Sequence, residues 1–245
     1  IKSALNQDYS DFEIIIIDDC SHDNTKKILD YYIKFDNIKI HFNKRNHGLG
    51  YSRNLALSLS SGNWITFLDH DDLFDYNRLT IMSKIYKKNN NFKFYFHDTH
   101  YIDEDDMIID SHLKHYDIPY PVIYKKKSTT LLLKYGSFID SEAIFFNRDI
   151  LKKIGYFDEK LTYLCDYDFF LRVSQFYNLF YSNQRLSSWR VHNDQQQKKN
   201  NNQKKERIKL FIKYLFSFKT SIIDKFYCLR TVLINIISMF RDYFR

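Results

Sequence analysis

Trp64-Ile65-Thr66-Phe67-Leu68-Asp69-His70-Asp71-Asp72 is the stretch whose reading decides the fold. A short apolar run, Trp64 to Leu68, stops at three acids within four residues. Runs of this length between turn signals read as buried strands. Carboxylates crowded at a strand end repel one another unless a cation shares them, and oxygen-rich clusters suit Mg²⁺ or Mn²⁺. In open α/β sheets, ligands bind beyond the carboxyl ends of the strands. The stretch therefore points to a metal-assisted site for a phosphate-bearing ligand. Taken alone, it reads equally well as a solvated acidic loop with a helix cap.

The preceding residues repeat the pattern. Phe12 to Ile17 (Phe-Glu-Ile-Ile-Ile-Ile) is rich in β-branched residues, as buried strands are, and it too ends in acids, Asp18-Asp19. Cys20 to Asn24 carries turn and N-cap chemistry. A helix is then predicted with Ile28, Leu29, Tyr32 and Ile33 on one face. Ile38 to Phe42 reads as a second strand, and Gly48 to Ser60 as a helix with Tyr51, Leu55 and Leu59 in a stripe. Strand–helix alternation predicts a parallel sheet with helices on both faces. Right-handed crossovers bring the strand ends to one edge, so Asp18, Asp19, Asp69 and Asp71 are expected to face one crevice.

Further along, a helix is expected over 78–88, a strand over 92–96, a helix over 127–135, a strand over 142–146 and a short helix over 147–154. Residues 166–176 read as a helix, and 179–182 and 186–191 as strands. The polar stretch from His97 to Lys127 yields no assignment, and Asp194 to Lys205 reads as a polar linker.

The net charge of +7 is unevenly placed. Lys204 to Arg245 holds ten Lys/Arg against three Asp/Glu, so the first 203 residues are near neutral. A nucleic-acid footprint would put its basic stripe on the folded domain; here it lies in a tail, and nucleic acid is not an expected partner. Cys20, Cys165 and Cys228 are too scattered for a zinc site or a disulfide framework, which fits a reducing compartment. The tail holds two amphipathic helices: Ile208, Phe211, Ile212 and Leu215, then Ile222, Phe226, Leu229, Leu233, Ile236 and Phe240. Its longest uncharged run, Thr231 to Phe240, falls short of the ~20 residues of a membrane span. Basic amphipathic helices lie on anionic bilayers or pack on the main domain or a second subunit, and both readings stay open.

Several motifs occur in order: Asn6-Gln7; Phe12 to Asp19 followed by Ser21, Asp23 and Thr25; Asn46-x-Gly48 with Arg53-Asn54; Gly62-x-Trp64 through Asp72; and Gly155-x-Phe157-Asp158. Together they resemble a family 2 glycosyltransferase of the GT-A fold over roughly residues 1–195, with 196–245 as linker and basic helical tail. The resemblance implies a nucleotide-sugar-binding, Rossmann-like α/β fold with a mixed, mainly parallel sheet, and an inverting hexosyltransferase. It also implies that Asp18 and Asp19 meet the nucleotide base, where a carboxylate would accept the uracil N–H and favour a UDP-sugar; helix capping by Ser21 or Asp23 is the structural alternative. Ser21, Arg53 and Asp69 join the donor site. A guanidinium suits phosphate oxygens, unless Arg53 is only a surface ion pair.

Asp69 and Asp71 match the family's Asp-x-Asp motif and would hold Mn²⁺ or Mg²⁺ against the donor diphosphate, with His192 completing the metal shell. Asp166 matches the general base that deprotonates the acceptor, with Asp168 as competitor and a helix cap as the bland reading. Cys165 stands where the family has Glu. The family's opening strand, expected inside the sheet, is not in this sequence, which fits a truncated chain. The implied setting is a cytoplasmic enzyme extending a lipopolysaccharide or capsule-type surface glycan on a glycan or lipid-linked acceptor, with peripheral contact at the inner face of the plasma membrane through the tail and homo-oligomerisation left open. Two alternatives stand beside it: a haloacid-dehalogenase-like phosphatase, which expects Asp-x-Asp on the first strand, and a non-catalytic nucleotide-sugar-binding module.

Overall fold

The computed structural model describes residues 1–192 and 201–243. In chain order the elements are α1 (Lys2–Leu5), β1 (Ile14–Asp18), α2 (Thr25–Asp30), β2 (Ile38–Phe42), α3 (Leu49–Leu59), β3 (Trp64–Ile65), β4 (Leu73–Phe74) and α4 (Arg78–Lys88). Then follow β5 (Phe94–Ile102), β6 (Ile108–Ser111), β7 (Val122–Ile123), α5 (Lys125–Tyr135), β8 (Ile144–Asn147), α6 (Leu151–Ile154), α7 (Cys165–Phe176), β9 (Leu179–Arg190), α8 (Asn201–Leu215) and α9 (Ile222–Tyr243).

The architecture is mixed α/β. It is divided, however, where the alternation alone predicts one parallel sheet. β1 and β2 form a parallel pair by themselves. The larger sheet has seven strands, ordered β3-β8-β5-β9-β4, with β6 on β5 and β7 on β9. Within it β5 and β9 run parallel, while the flanking pairings are antiparallel. Among the described residues no ladder joins β1 to β3, so the two sheets stay separate there. Glu13 bridges the gap at the strand starts. Its Oε1 accepts from the backbone N–H of Ser61 and Gly62, and its Oε2 pairs with Lys39 at 2.9 Å. Burial would raise this carboxyl, but those donors hold it down at about 2.

Several expectations are corrected. The acidic stretch is strand only at Trp64–Ile65; beyond that, the chain leaves the ladder and enters the acidic turn. The unassigned polar stretch contains the rest of β5 and all of β6. Glu142 is not in a strand but in a 3₁₀ turn, Ser141–Ala143, and the expected helix over 147–154 is a 3₁₀ turn followed by α6. The two late strands are one, β9. In the second segment Leu29 and Tyr32 are buried, while Ile28 and Ile33 face solvent. On α3 the buried face is Gly50, Arg53 and Leu57 rather than the stripe from Tyr51 to Leu59. Of the expected linker, 201–205 belong to α8 and 194–200 lie outside the described residues.

The core sits between the large sheet and α5, α6 and α7, where Phe94, Phe96, Phe146, Phe169 and Leu132 are fully buried. Removing apolar area of this kind from water stabilises by about 25 cal/mol per Å². Leu210, Phe211 and Tyr214 of α8 and Cys228 and Val232 of α9 belong to the same core. No helix among the described residues is long and apolar enough to cross a membrane.

Candidate active site

The carboxyl ends of β1 and β3 carry the two acid groups, and the structure treats them differently. Asp19 is a loop organiser. Its carboxylate accepts from Asn43 Nδ2 at 2.7 Å, His47 N at 3.0 Å and Gly48 N at 2.7 Å. Gly48 lies at φ +88°, a conformation that favours glycine, immediately before α3. Asp18 is buried and accepts from the backbone N–H of Ser21 at 3.4 Å. Cys20 between them takes φ 68°. The His70 imidazole, from the acidic turn, lies close enough to help lower Asp23, after the larger effect of the Thr25 hydrogen bonds. Asp19 also fixes Gly48 at the start of α3, and Arg53 of that helix reaches the acidic turn at Asp69.

Arg53 is the centre of the second group. It is only 5 % exposed, so it is no surface ion pair. Its Nη2 lies 3.1 Å from Asp69 Oδ1, and its Nη1 pairs with Asp166 Oδ1. The guanidinium carbon sits 5.1 Å from the Phe67 ring and 5.5 Å from that of Phe157, a contact the ring quadrupole favours. Phe157 is itself fixed by Asn54, which accepts from its N–H at 2.9 Å and donates to its carbonyl at 3.0 Å. At Gly50 a Cβ would come within 3.2 Å of Glu159 Cα, so α3 rests directly on the segment after Gly155. The motif residues Asn54 and Phe157, with Gly50, thus position Arg53.

Asp166 lies in the first turn of α7 and accepts a second bond, from Ser141 Oγ at 2.9 Å. Cys165 donates to its Oδ1 at 3.3 Å. Burial pushes the Cys165 thiol up to about 11, against the nearby Arg53 charge, so it stays a neutral donor where the family has a carboxylate. Asp168, the competing base, is fully buried and bound to Arg172 Nε at 2.7 Å and Lys213 Nζ at 3.0 Å. It ties α7 to α8 and faces no crevice.

Asp71 Oδ2 lies 3.0 Å from His192 Nε2. Arg190 sets this geometry. Its N–H donates to Asp72 Oδ1 at 2.9 Å and its Nε to the Asp71 carbonyl at 3.1 Å, which joins the end of β9 to the acidic turn. Asp72 is buried, and burial together with Asp71, Asp69 and Asp140 raises it to about 8, although the Arg190 N–H opposes this. Glu142, 2 % exposed, is raised well above the carboxylate range by burial and then by Asp140, Asp72 and Asp69. Acids thus converge here from two segments, and the mutual repulsion that helps raise Asp72 and Glu142 is one a divalent cation would relieve. The donor chemistry of Asp69, Asp71 and His192 fits Mn²⁺ or Mg²⁺. The three do not yet converge, since Asp69 is turned to Arg53. Among the described residues no group of three metal-binding side chains is preassembled.

The sequence missed Arg190, Ser141, Asp140 and Glu142. Only Arg190 carried a signal, as a basic residue two before the candidate ligand His192.

Residues 1–155 match the family model described as Glycosyl transferase family 2. An uncharacterized glycosyltransferase of Rickettsia typhi is 29% identical over 205 residues, which are 80% of this chain and 59% of that protein. The chain thus spans less than two thirds of that relative. Among solved structures, Staphylococcus aureus TarS 1-349 in complex with UDP-GlcNAc superposes with a TM-score of 0.68 at 18% identity, over 97% of this chain and 67% of that one. A mannosyltransferase from Pyrobaculum calidifontis, with GDP-Man and Mn²⁺, gives 0.64 at 12% identity, over 97% and 69%. At such identities the likeness shows the fold. Two strand–helix units precede the acidic turn, an order the phosphatase alternative does not allow. The chain belongs to glycosyltransferase family 2 and has the GT-A fold.

Proposed function

We propose that this domain moves a sugar from a nucleotide-sugar, a UDP-sugar, to the hydroxyl of a glycan or lipid-linked acceptor, with inversion at the anomeric carbon. The observation that carries the reading is the Arg53 bridge: acids 97 positions apart in sequence, Asp69 and Asp166, meet on one buried guanidinium. Asp166 takes the proton of the acceptor hydroxyl as its oxygen bonds to the sugar carbon. The bond from that carbon to the diphosphate oxygen breaks, and its electron pair leaves with the nucleoside diphosphate. A single base on the face opposite the leaving group suffices for such a displacement.

Arg53 is placed to exchange a carboxylate for a donor phosphate oxygen, since its planar fork suits both. That exchange would free Asp166 for the acceptor and Asp69 for the cation. Asp71 and His192, with Asp69, would hold Mn²⁺ or Mg²⁺. When bound, the ion neutralises charge building on the departing diphosphate. Asp18, Asp19 and Ser21 would shape the base pocket, through the loop that Asp19 organises rather than through a free carboxylate. The UDP-GlcNAc held by TarS supports a UDP-sugar donor.

Calorimetric titration with UDP and Mn²⁺ tests the site. Asp71→Ala should lose metal-dependent UDP binding and Asp166→Asn should keep it. Unchanged affinity in Asp71→Ala would remove the metal assignment.

A further inference from the structure

Of the two apolar stripes read along the tail, that of α8 packs inward through Phe211, with Ile208 and Leu215 against the core, and Ile236 of the second packs inward as well; the rest of the α9 stripe points outward. α9 is anchored by its other face: Cys228, Val232 and Asn235 are buried. Buried Asp224 accepts from Thr130 Oγ1 of α5 at 2.7 Å and caps Ser221 N at 2.8 Å. Lys204 of α8 donates to Ser238 at 2.8 Å. This docking fixes the helix's rotation. Ile222, Phe226, Leu229, Leu233, Ile237 and Phe240 are left exposed, Ile222 at 87 %. They run along about 27 Å of helix at its rise per residue. At the turn joining α8 to α9, Phe216 and Phe218 stand out at 76 % and 105 % exposure. An apolar surface this long and continuous is uncommon on a soluble monomer and marks an interaction site.

We propose that this face lies on an anionic lipid bilayer, with α9 in the plane of the headgroups and Phe216 and Phe218 inserted between lipids. Charge selects this occupant. The acids of α9 are Asp224, which is buried, and Asp242, which pairs with Lys204. Arg230 and Arg241 of α9 are exposed and fall beside the stripe at helical spacing, while exposed Lys219, in the preceding turn, lies over the Phe176 ring. The rim is therefore cationic and suits a negative headgroup layer. Two copies paired through the same stripe would bring like-charged rims together, which costs energy. The turn phenylalanines also lie outside α9 and would not enter a helix–helix seam.

The test is co-sedimentation of the purified chain with phosphatidylcholine vesicles, with and without phosphatidylglycerol, at low and high NaCl. It needs no donor or acceptor, so its outcome is independent of the transfer reaction. The chain should pellet with phosphatidylglycerol vesicles and be released by salt, as screened surface charge requires. Phe218→Ser with Phe226→Ser should weaken partition by roughly tenfold or more, since each removes a large buried apolar group. Arg230→Glu should weaken it several-fold, with thermal unfolding unchanged in both variants because all three sites are exposed. Failure to pellet with either vesicle, or binding unaffected by these substitutions, overturns the proposal. A concentration-dependent dimer that Phe226→Ser dissolves, in a chain that ignores vesicles, assigns the face to a second copy instead.

Discussion

Two strands of this protein end in the same sequence signature, an apolar run followed by acids, and the two acid groups behave differently. After β1, the Asp19 carboxylate accepts from two backbone N–H groups and an Asn side chain, so its charge is spent on loop architecture. After β3, Asp69 and Asp71 are half-buried and engaged by the side chains of Arg53 and His192. Backbone donors make a fixed partner. Side-chain cations can be exchanged for a phosphate or a metal ion. One acid group therefore builds a loop, and the other, under the proposed function, would respond to a phosphate or a metal ion.

The comparison can be broken by substitution. The largest effect is expected at the responsive end: Asp166→Asn should lower transfer by roughly 10²–10⁴-fold, the contribution of a positioned base, with the chain still folded, as read by steady-state kinetics beside calorimetry. Asp19→Ala should do the reverse to stability. It orphans the N–H groups of His47 and Gly48 and removes charged hydrogen bonds, at a cost of about 2–4 kcal/mol in denaturant unfolding. Asp71→Ala, by contrast, should stay within about 1 kcal/mol of the parent.

A smaller effect is expected beneath the acidic turn. Glu142 keeps its proton in the folded chain at pH values where the unfolded chain releases it. Stability should therefore fall as pH rises above the ordinary carboxylate range, until the raised value is passed. Glu142→Gln, neutral throughout, should flatten that slope and be the more stable form near neutral pH. Thermal unfolding across a pH series reads both.

The strand–helix alternation and the order of motifs made the first third of the chain legible, because β-branched runs and N-cap chemistry are local signals. Three things were not legible. The β5 residues after Phe96 carry His97, Asp98, Thr99 and His100, polar groups buried or half-buried only because β9 and β6 lie alongside. No local pattern encodes that. The Ser141 hydroxyl and Glu142 carboxyl reach the site through a 3₁₀ turn whose place depends on β8 pairing with β3 and β5. Periodicity also says which residues share a helix face, not where the face points. On α3 the inward face is Gly50, Arg53 and Leu57, and on α9 it is the less apolar side, held by Asp224 and Cys228. Of the site residues, Asp69, Asp71, Asp166, Arg53 and His192 were named from sequence. The structure adds that Arg53 pairs with Asp69 and Asp166, and His192 with Asp71.

The most direct test of the central claim is an NMR time course of product formed from a panel of nucleotide-sugars, reading the anomeric configuration at transfer. The account predicts a UDP-sugar consumed with inversion by the parent chain and left unconsumed by Asp166→Asn. Product of retained configuration, or equal turnover in Asp166→Asn, would contradict it.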